Sequence, residues 1–200
     1  MKIFCIGRNY ADHAKELNNP VPSEPLVFMK PPTAILRANK PFYHPEFSDD
    51  IHYEAEIVIK IDKNGKCVNE QFAESYYSSI ALGIDFTARD IQKKCKEKGH
   101  PWEKAKGFDN SAVLSEFQPL DKSKPVKFSL NKNGDTVQLG TSDDMIFNFA
   151  YIIFYLSKYF TLQQGDIIYT GTPAGVGKVE IGDVLEGYLG DDKVFRTEVK

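Results

Sequence analysis

Two carboxylates stand two residues apart in the segment "IHYEAEIVIK", at Glu54 and Glu56. The segment continues with Ile57, Val58 and Ile59, which favour a β-strand. Residues two apart in a strand share a face, so the two like charges would repel each other, and more strongly if they were buried. A bound divalent cation would relieve this repulsion, whereas a solvent-exposed strand face would tolerate it without one. The spacing alone leaves both interpretations open.

A third carboxylate follows another apolar stretch, in "ALGIDFTARD", where the chain turns polar after Asp85. An acid at the end of a buried strand is well placed as a ligand, and equally well placed as the cap of a following helix. Together Glu54, Glu56 and Asp85 would form an all-oxygen site suited to Mg²⁺ or Mn²⁺. The sequence has no cysteine or histidine pattern that would indicate zinc instead.

An acid–base pair is suggested by His13 and Glu16, which lie three residues apart in "GRNYADHAKE" and hence share a face if this segment is helical. A carboxylate beside an imidazole orients the ring and raises its basicity, as a general base that activates water requires. An ordinary surface pair on a short helix would have the same spacing. The other three histidines fall in predicted loops or at a strand edge, and we predict structural roles for them.

Two lysines and a glycine turn are further candidates for binding an anion. Lys30 ends a predicted strand before two prolines, and Lys106 lies between Trp102 and Phe108. Lysines beside aromatic residues are usually surface residues, but in a metal site either one could bind a carboxylate or an enolate oxygen. The segment "TGTPAGVGK" lacks the phosphate-loop pattern. Its backbone N–H groups and the Thr172 hydroxyl could still face an anion.

These side chains would be positioned mainly by strands. The apolar patterns predict strands over residues 2–7, 26–30 and 52–61, and a helix that passes into a strand over 71–85. Residues 62–65 are predicted to turn the third strand back into 66–70, and most of 31–50 is predicted as loop. Residues 125–140 predict a hairpin that turns at Asn133-Gly134, and the Gly-Asp pairs at 165–166 and 182–183 predict tight turns before two strands.

Three helices complete the prediction. The first covers residues 9–18 with Asn9 as its cap, and the second covers 90–98 and ends at Gly99. The longest covers 141–160, with Thr141 and Asp144 as a capping box. Its apolar residues repeat at helical spacing and predict a core face, formed by Ile146, Phe149, Ala150, Ile153 and Leu156. Strands and helices do not alternate regularly, so we predict an α+β, mostly β fold with a closed or rolled sheet.

The composition excludes several classes of protein. The 200 residues are predicted to form one domain over residues 1–200, and a net charge of −3 gives no field that would attract nucleic acid or a membrane surface. Three cysteines without a C-x-x-C motif predict neither a disulfide framework nor a zinc knuckle. The chain turns polar after six residues, so no signal peptide is predicted. The most apolar stretch, residues 145–160, is too short to span a membrane. We expect a cytoplasmic protein.

Several motifs together resemble one family. The segments "GRNYADHAKE", "FMKPPTA", "HYEAEIVI", "GIDFTARDIQ", "KGHPWEKAKGFD" and "GDIIYTGTPAGVG" occur in the order typical of the fumarylacetoacetate hydrolase family, over nearly the whole chain. The chain is most similar to the short, single-domain members of the acylpyruvase and oxaloacetate decarboxylase type. The resemblance implies a β-roll with a few short helices, a homodimer, and Mg²⁺ or Mn²⁺ bound by Glu54, Glu56 and Asp85.

The resemblance also implies a role for the other candidates. His13 and Glu16 match the pair that activates water, and Lys106 matches the active-site lysine of the family. The positions around the bound 2-oxo acid are matched by Arg8, Gln92 and Thr172. Lys30 matches a recurrent motif position without an assigned role.

The implied activity is metal-dependent cleavage of a carbon–carbon bond in acylpyruvates, which are 2,4-dioxo acids, to pyruvate and a carboxylic acid. Decarboxylation of oxaloacetate would pass through the same pyruvate enolate without an attacking water. Related members isomerise, tautomerise or decarboxylate 2-oxo acids such as oxaloacetate or 2-hydroxyhepta-2,4-diene-1,7-dioate, and this is the main alternative. A catalytically silent, metal-bound dimer that only binds a metabolite or partner is a weaker alternative, because both His13 and Glu16 are present.

Overall fold

The computed structural model describes residues 1–16 and 20–200 of the chain. The α-helices are α1 (Ala11–Glu16), α2 (Glu70–Ala73), α3 (Arg89–Lys98), α4 (Glu103–Lys106) and α5 (Phe149–Tyr159). The strands are β1 (Ile3–Gly7), β2 (Leu26–Lys30), β3 (Ile35–Arg37), β4 (Ile51–Tyr53), β5 (Ala55–Lys60), β6 (Ser79–Asp85), β7 (Thr87–Ala88), β8 (Ala112–Leu114), β9 (Gln118–Pro119), β10 (Lys127–Lys132), β11 (Asp135–Thr141), β12 (Ile167–Tyr169), β13 (Gly177–Lys178), β14 (Val184–Leu189) and β15 (Asp192–Glu198). The fold is mostly β with a few short helices, which confirms the predicted fold class.

The strands form three sheets. The largest is a curled mixed sheet in the order β2-β1-β12-β5-β6-β8-β3, with β9 added beside β6. In it β1 runs parallel to β12 and β3 parallel to β8, while β5 pairs antiparallel with both β6 and β12. A four-stranded sheet has the order β11-β10-β14-β15, and a small one has the order β13-β4-β7.

Strand β5 is buried on both faces, which explains its continuous apolar run. Ile57 and Ile59 belong to the larger core, which also holds residues of β10, β14, β15 and α5. Val58 points the other way into a second cluster with Ile3 and Tyr169. The predicted core face of the longest helix is confirmed, since its five residues are buried in or packed against the larger core.

The strand predicted over 52–61 is interrupted, which is a correction to the sequence analysis. Glu54 lies between β4, which belongs to the smallest sheet, and β5, which belongs to the largest. The backbone therefore changes sheet at the first of the two glutamates. The predicted return of this strand over 66–70 is wrong, because residues 61–69 form no strand. Both edges of β5 are already paired, with β6 and β12, so no edge is left for a hairpin partner.

The ends of two helices also differ from the prediction. Helix α5 begins at Phe149, where the side chain of Asn148 accepts a hydrogen bond from the Tyr151 N–H at 2.8 Å. Thr141 caps only a single 3-10 turn over residues 142–144, so the predicted capping box does not begin the helix. Helix α1 begins at Ala11, two residues after the predicted cap Asn9. The last two residues predicted for this helix, 17 and 18, lie outside the described residues.

The predicted turns at Asn133-Gly134 and at the two Gly-Asp pairs are confirmed. Strands β10 and β11 form the hairpin, with Asn133 and Gly134 at φ of 55° and 94°, the left-handed values that a tight two-residue turn requires. In the two Gly-Asp turns the aspartate carboxylate accepts a hydrogen bond from the N–H three residues earlier, at 2.8 Å in each. Across the described ranges 1–16 and 20–200, no helix is both long and apolar enough to cross a bilayer.

Candidate active site and metal centre

The three predicted carboxylates meet below the surface. Glu54, Glu56 and Asp85 are 5%, 2% and 0% exposed, and one oxygen of each lies within 4.8 Å of the others. Pairing of β5 with β6 brings them together, since the Asp85 N–H donates to the Glu54 carbonyl at 2.8 Å. The interpretation of Glu54 and Glu56 as part of a solvent-exposed strand face is therefore wrong. Nor does Asp85 cap a helix, because α3 begins only after Ala88.

Three cations surround these acids. Lys106 Nζ lies 2.9 Å from Glu54 Oε2 and 2.6 Å from Asp85 Oδ2, and it also donates to Thr87 Oγ1 at 2.6 Å. Arg89 pairs with the other oxygen of Glu54 at 2.5 Å. Lys30 pairs with Asp85 Oδ1 at 2.7 Å.

Lys30 is a buried structural cation, 1% exposed, rather than a surface lysine. Its ammonium donates to the Ser111 hydroxyl at 2.9 Å, to the Ser111 carbonyl at 3.1 Å, and to the carbonyl of Lys106. These bonds fix Asp85 on one side and the backbone of α4 on the other. Lys106 is likewise buried, at 3% exposed, so the surface interpretation fails for both lysines.

The electrostatics single out Glu56. Burial raises its pKa well above the usual value, and the charges of Asp85 and Glu54 raise it further. It accepts one hydrogen bond, from the Gly171 N–H at 2.7 Å, and no lysine or arginine of the described chain pairs with it. Burial acts in the same direction on Glu54, but Lys106 and Arg89 outweigh it and hold the pKa of Glu54 below its usual range.

A divalent cation fits this arrangement. The donor set consists of carboxylate oxygens, which Mg²⁺ and Mn²⁺ prefer. Burial also lowers the pKa of Lys106, yet Asp85 and Glu54 outweigh it and raise that pKa to about 12, which shows how strongly the acids favour a positive charge. A cation near Glu56 would offset the burial and repulsion that raise its pKa.

His13 lines the same cavity and is 4% exposed. Its Nδ1 lies 3.3 Å from Glu16 Oε2, and the other oxygen of Glu16 accepts a hydrogen bond from the Gly175 N–H at 3.0 Å. The turn after β12 thus fixes the Glu16 carboxylate, and this carboxylate in turn orients the His13 imidazole. Burial lowers the pKa of His13, although Glu54 and Glu16 oppose this shift. The imidazole is therefore neutral near pH 7.

The sequence analysis missed Gln138, which is 1% exposed on β11. Its amide accepts from the Ala55 N–H at 2.9 Å and donates to Thr172 Oγ1 at 2.9 Å and to the Pro173 carbonyl at 3.0 Å. Strand alternation would place Val137 and Leu139 inward instead, but Leu139 is 71% exposed. No signal in the sequence marks this glutamine as a site residue.

Eight of the nine predicted site residues line one cavity: Arg8, His13, Glu54, Glu56, Asp85, Gln92, Lys106 and Thr172. The ninth, Glu16, reaches it only through its contact with His13. Seven further residues line the cavity without having been predicted, and three of them, Arg89, Lys96 and Trp102, carry a side-chain N–H group. Arg89 directly follows the motif segment "GIDFTA", and a charged residue at that place is a signal that could have marked it as a site residue. The free volume of this cavity is about 30 Å³, enough for one or two waters.

Comparison with known proteins identifies the family. The family model described as "Fumarylacetoacetate (FAA) hydrolase C-terminal" matches residues 2–199. The chain belongs to the fumarylacetoacetate hydrolase family.

Curated relatives support the same assignment. The mitochondrial oxaloacetate tautomerase of Mus musculus is 41% identical over 99% of this chain and 91% of its own length. The mitochondrial oxaloacetate decarboxylase of Dictyostelium discoideum is 42% identical over 99% of this chain and 93% of its own.

A solved structure has the same fold. Fumarylpyruvate hydrolase from Pseudomonas aeruginosa, crystallised with Mn²⁺ and pyruvate, superimposes with a TM-score of 0.93 at 34% identity, over 100% of this chain and 89% of its own. With these relatives and its buried acidic cluster, this protein is an enzyme of the fumarylacetoacetate hydrolase family.

Proposed function

We propose that this protein is a divalent-metal-dependent tautomerase that interconverts the keto and enol forms of oxaloacetate. The observation that carries the proposal is the cavity where three buried carboxylates lie beside Lys106 and the buried imidazole of His13. The relatives named as oxaloacetate tautomerases, which align over almost the whole chain, favour this substrate. Acylpyruvate hydrolysis, the activity expected from the motifs, has weaker support from those names.

Glu54, Glu56 and Asp85 would hold Mg²⁺ or Mn²⁺. When bound, such an ion would withdraw electron density from a 2-oxo group and so make the neighbouring C–H more acidic. The crystallised relative with Mn²⁺ and pyruvate supports both the ion and the 2-oxo acid class.

The chain's own residues would bind and orient the substrate. Lys106 supplies a buried positive charge beside the acids, where it would stabilise negative charge on the enolate oxygen. Thr172 accepts its hydrogen bond from Gln138, so its hydroxyl hydrogen remains available to a substrate carboxylate. Gln92 and Arg8 line the same cavity and would add polar contacts.

His13 would move the proton. Glu16 lies at Nδ1 and favours the tautomer with hydrogen on that nitrogen, which leaves Nε2 free to accept a proton. Nε2 would take the proton from C3 of the keto acid and return it to the 2-oxo oxygen, giving the enol with no net loss of protons. The lowered pKa of His13 keeps the ring in its accepting form near neutral pH.

Hydrolysis of acylpyruvates is the second candidate, favoured by the contact between His13 and Glu16. In that reaction the imidazole would take the proton from a water that attacks C4, and the C3–C4 bond would break to release the pyruvate enolate and a carboxylic acid. Decarboxylation of oxaloacetate would reach the same enolate by loss of CO₂ and needs no base at that step. A homodimer and a cytoplasmic location stay predictions, and the named eukaryotic relatives are mitochondrial.

The test follows the ultraviolet absorbance of enol-oxaloacetate with purified protein, first with Mg²⁺ and then with excess EDTA. Acetylpyruvate is followed in parallel, and pyruvate is assayed in both reactions. Enol decay that exceeds the uncatalysed rate, needs Mg²⁺ and yields no pyruvate supports the tautomerase. Metal-dependent loss of acetylpyruvate with pyruvate formed, at a higher kcat/KM than for oxaloacetate, would replace it by the hydrolase. No turnover of either substrate would contradict both.

A further inference from the structure

Helix α3 presents three polar side chains along the cavity wall: Arg89, Gln92 and Lys96. Their spacing of three and four residues puts them on one face of the helix. Arg89 contacts Glu54 at the acidic end. Lys96 lies seven residues further on, which is about 10 Å along the helix axis. The face therefore runs along the cavity wall from Arg89, beside the acidic cluster, to the exposed Lys96.

Two of the cations that line the cavity have no carboxylate partner within the described part of the chain. Arg8, at the end of β1, and Lys96 both line it, and neither forms an ion pair within residues 1–16 and 20–200. Arg8 adopts a left-handed backbone with φ of 58°, an uncommon conformation for a residue other than glycine, Asn or Asp. Such conformations persist where the surrounding structure requires them.

The positive charges act on one another. Although Lys96 is an exposed residue, partial desolvation lowers its pKa to about 8; the charges of Arg8 and Arg89 lower it further, and Glu54 opposes them. A surface lysine packed on an aromatic ring is the simpler interpretation, since Lys96 Nζ lies 5.6 Å from the centroid of Trp102. That contact explains the position of the side chain but not the convergence of unpaired like charges. Like charges converge at a site when an anion bound there offsets their repulsion.

We propose that Lys96, assisted by Arg8, binds the second carboxylate of a 2-oxo dicarboxylic acid whose 2-oxo end lies at the acidic cluster. This inference rests on the proposed function and deepens it, because it makes the enzyme selective for dicarboxylic over monocarboxylic 2-oxo acids. Oxaloacetate is such a dicarboxylic acid, whereas acetylpyruvate carries a single carboxylate. Lys96 is thus a specificity-determining residue, placed about 10 Å along α3 from the arginine that contacts Glu54.

Two non-reacting probes test the subsite without relying on turnover. N-oxalylglycine and N-ethyloxamate share the oxalyl end, and only the first carries a distal carboxylate. Calorimetry with the Mg²⁺-loaded protein measures the ratio of their dissociation constants. A charge-assisted hydrogen bond predicts that wild type prefers N-oxalylglycine by about tenfold or more. Lys96→Met should reduce the ratio to near one, and Lys96→Arg should retain most of it.

Lys98→Met is the matched control, since Lys98 is exposed on the same helix and does not line the cavity. It should leave the ratio unchanged. Equal binding of the two probes by wild type, or a full preference retained by Lys96→Met, would overturn the inference. A preference that depends on Lys96 in a protein that does not convert oxaloacetate would overturn only the proposed function and leave the subsite standing.

Discussion

The backbone N–H of Ala55 donates to Oε1 of Gln138 at 2.9 Å. An N–H group can only donate, so this bond fixes the orientation of the side-chain amide. Nε2 must then face Thr172 Oγ1 and the Pro173 carbonyl, at 2.9 and 3.0 Å. One buried side chain therefore connects the strand that carries the glutamates to the turn that carries Thr172.

We predict that Gln138→Leu lowers both stability and activity. The leucine leaves the buried Ala55 N–H and Pro173 carbonyl unpaired, which costs about 1–3 kcal/mol per group in unfolding free energy. Thr172 is also released from its position, so kcat/KM for oxaloacetate should fall by more than the loss of folded protein explains. Urea unfolding and initial rates measure the two effects. Gln71→Leu, at an exposed position, is the control, and similar behaviour of the two variants would refute the role of Gln138.

Glu56→Gln should separate metal binding from stability. Burial raises the pKa of Glu56, so the folded metal-free protein holds this proton more tightly than the unfolded chain does. Its unfolding free energy should therefore decrease as pH rises above the ordinary glutamate pKa of 4.5, and Glu56→Gln should reduce this decrease. The variant should also lose the increase in Tm that Mn²⁺ gives the wild type.

Thermal unfolding in EDTA and with Mn²⁺, at about pH 5 and about pH 8, tests both statements. Glu180→Gln makes the same replacement at an exposed glutamate and should behave as wild type. An undiminished Mn²⁺ response in Glu56→Gln would show that this carboxylate is not a ligand.

His13→Ala should slow tautomerisation and acylpyruvate hydrolysis far more than it slows decarboxylation of oxaloacetate. Tautomerisation and acylpyruvate hydrolysis both need a proton acceptor, and removing one costs about 100-fold or more in kcat. Decarboxylation of oxaloacetate should lose much less, because the carbon–carbon bond breaks without a base. Rates with oxaloacetate and acetylpyruvate measure this division, with His100→Ala at an exposed position as the control. Equal losses in all three reactions would rule it out.

The pH profile provides a second test of His13. Burial lowers the pKa of its imidazole from 6.5, so the neutral, accepting form persists below that pH. The acid limb of kcat/KM for either base-dependent reaction should therefore have its midpoint below pH 6.5. A midpoint above this value would mean that another group, or a different state of His13, limits the rate.

The dicarboxylate preference should fade in alkaline solution. Partial desolvation, and then the charges of Arg8, Arg89 and Lys106, lower the pKa of Lys96 to about 8 in the free protein, while Glu54 opposes this shift. A bound carboxylate raises the pKa again, so the preference for N-oxalylglycine should decline only as pH rises beyond about 8. Calorimetry between about pH 7 and about pH 9.5 measures this decline. Lys96→Arg keeps its charge and should show none, and a parallel decline in that variant would assign the titration to another group.

Local patterns predicted the elements well where neighbours in sequence are sufficient to form them. The strand β5, the hairpin turn at Asn133-Gly134 and the core face of α5 follow from a run of β-favouring residues, left-handed turn residues and helical spacing. Local patterns failed where the formation of an element depends on pairing with a strand distant in sequence. The return strand over 66–70 does not form because β6 and β12 occupy both edges of β5.

The sequence by itself determined the family, the mostly β class and the identity of the candidate site residues, because their types occur in ordered motifs. The tertiary structure alone decided how those residues interact. It placed the break between two sheets at Glu54, buried Lys30 against Asp85, and buried Gln138 between Ala55 and Thr172. The physical reason is that burial and pairing of a polar group depend on strands and helices far away in the chain, which no local spacing encodes.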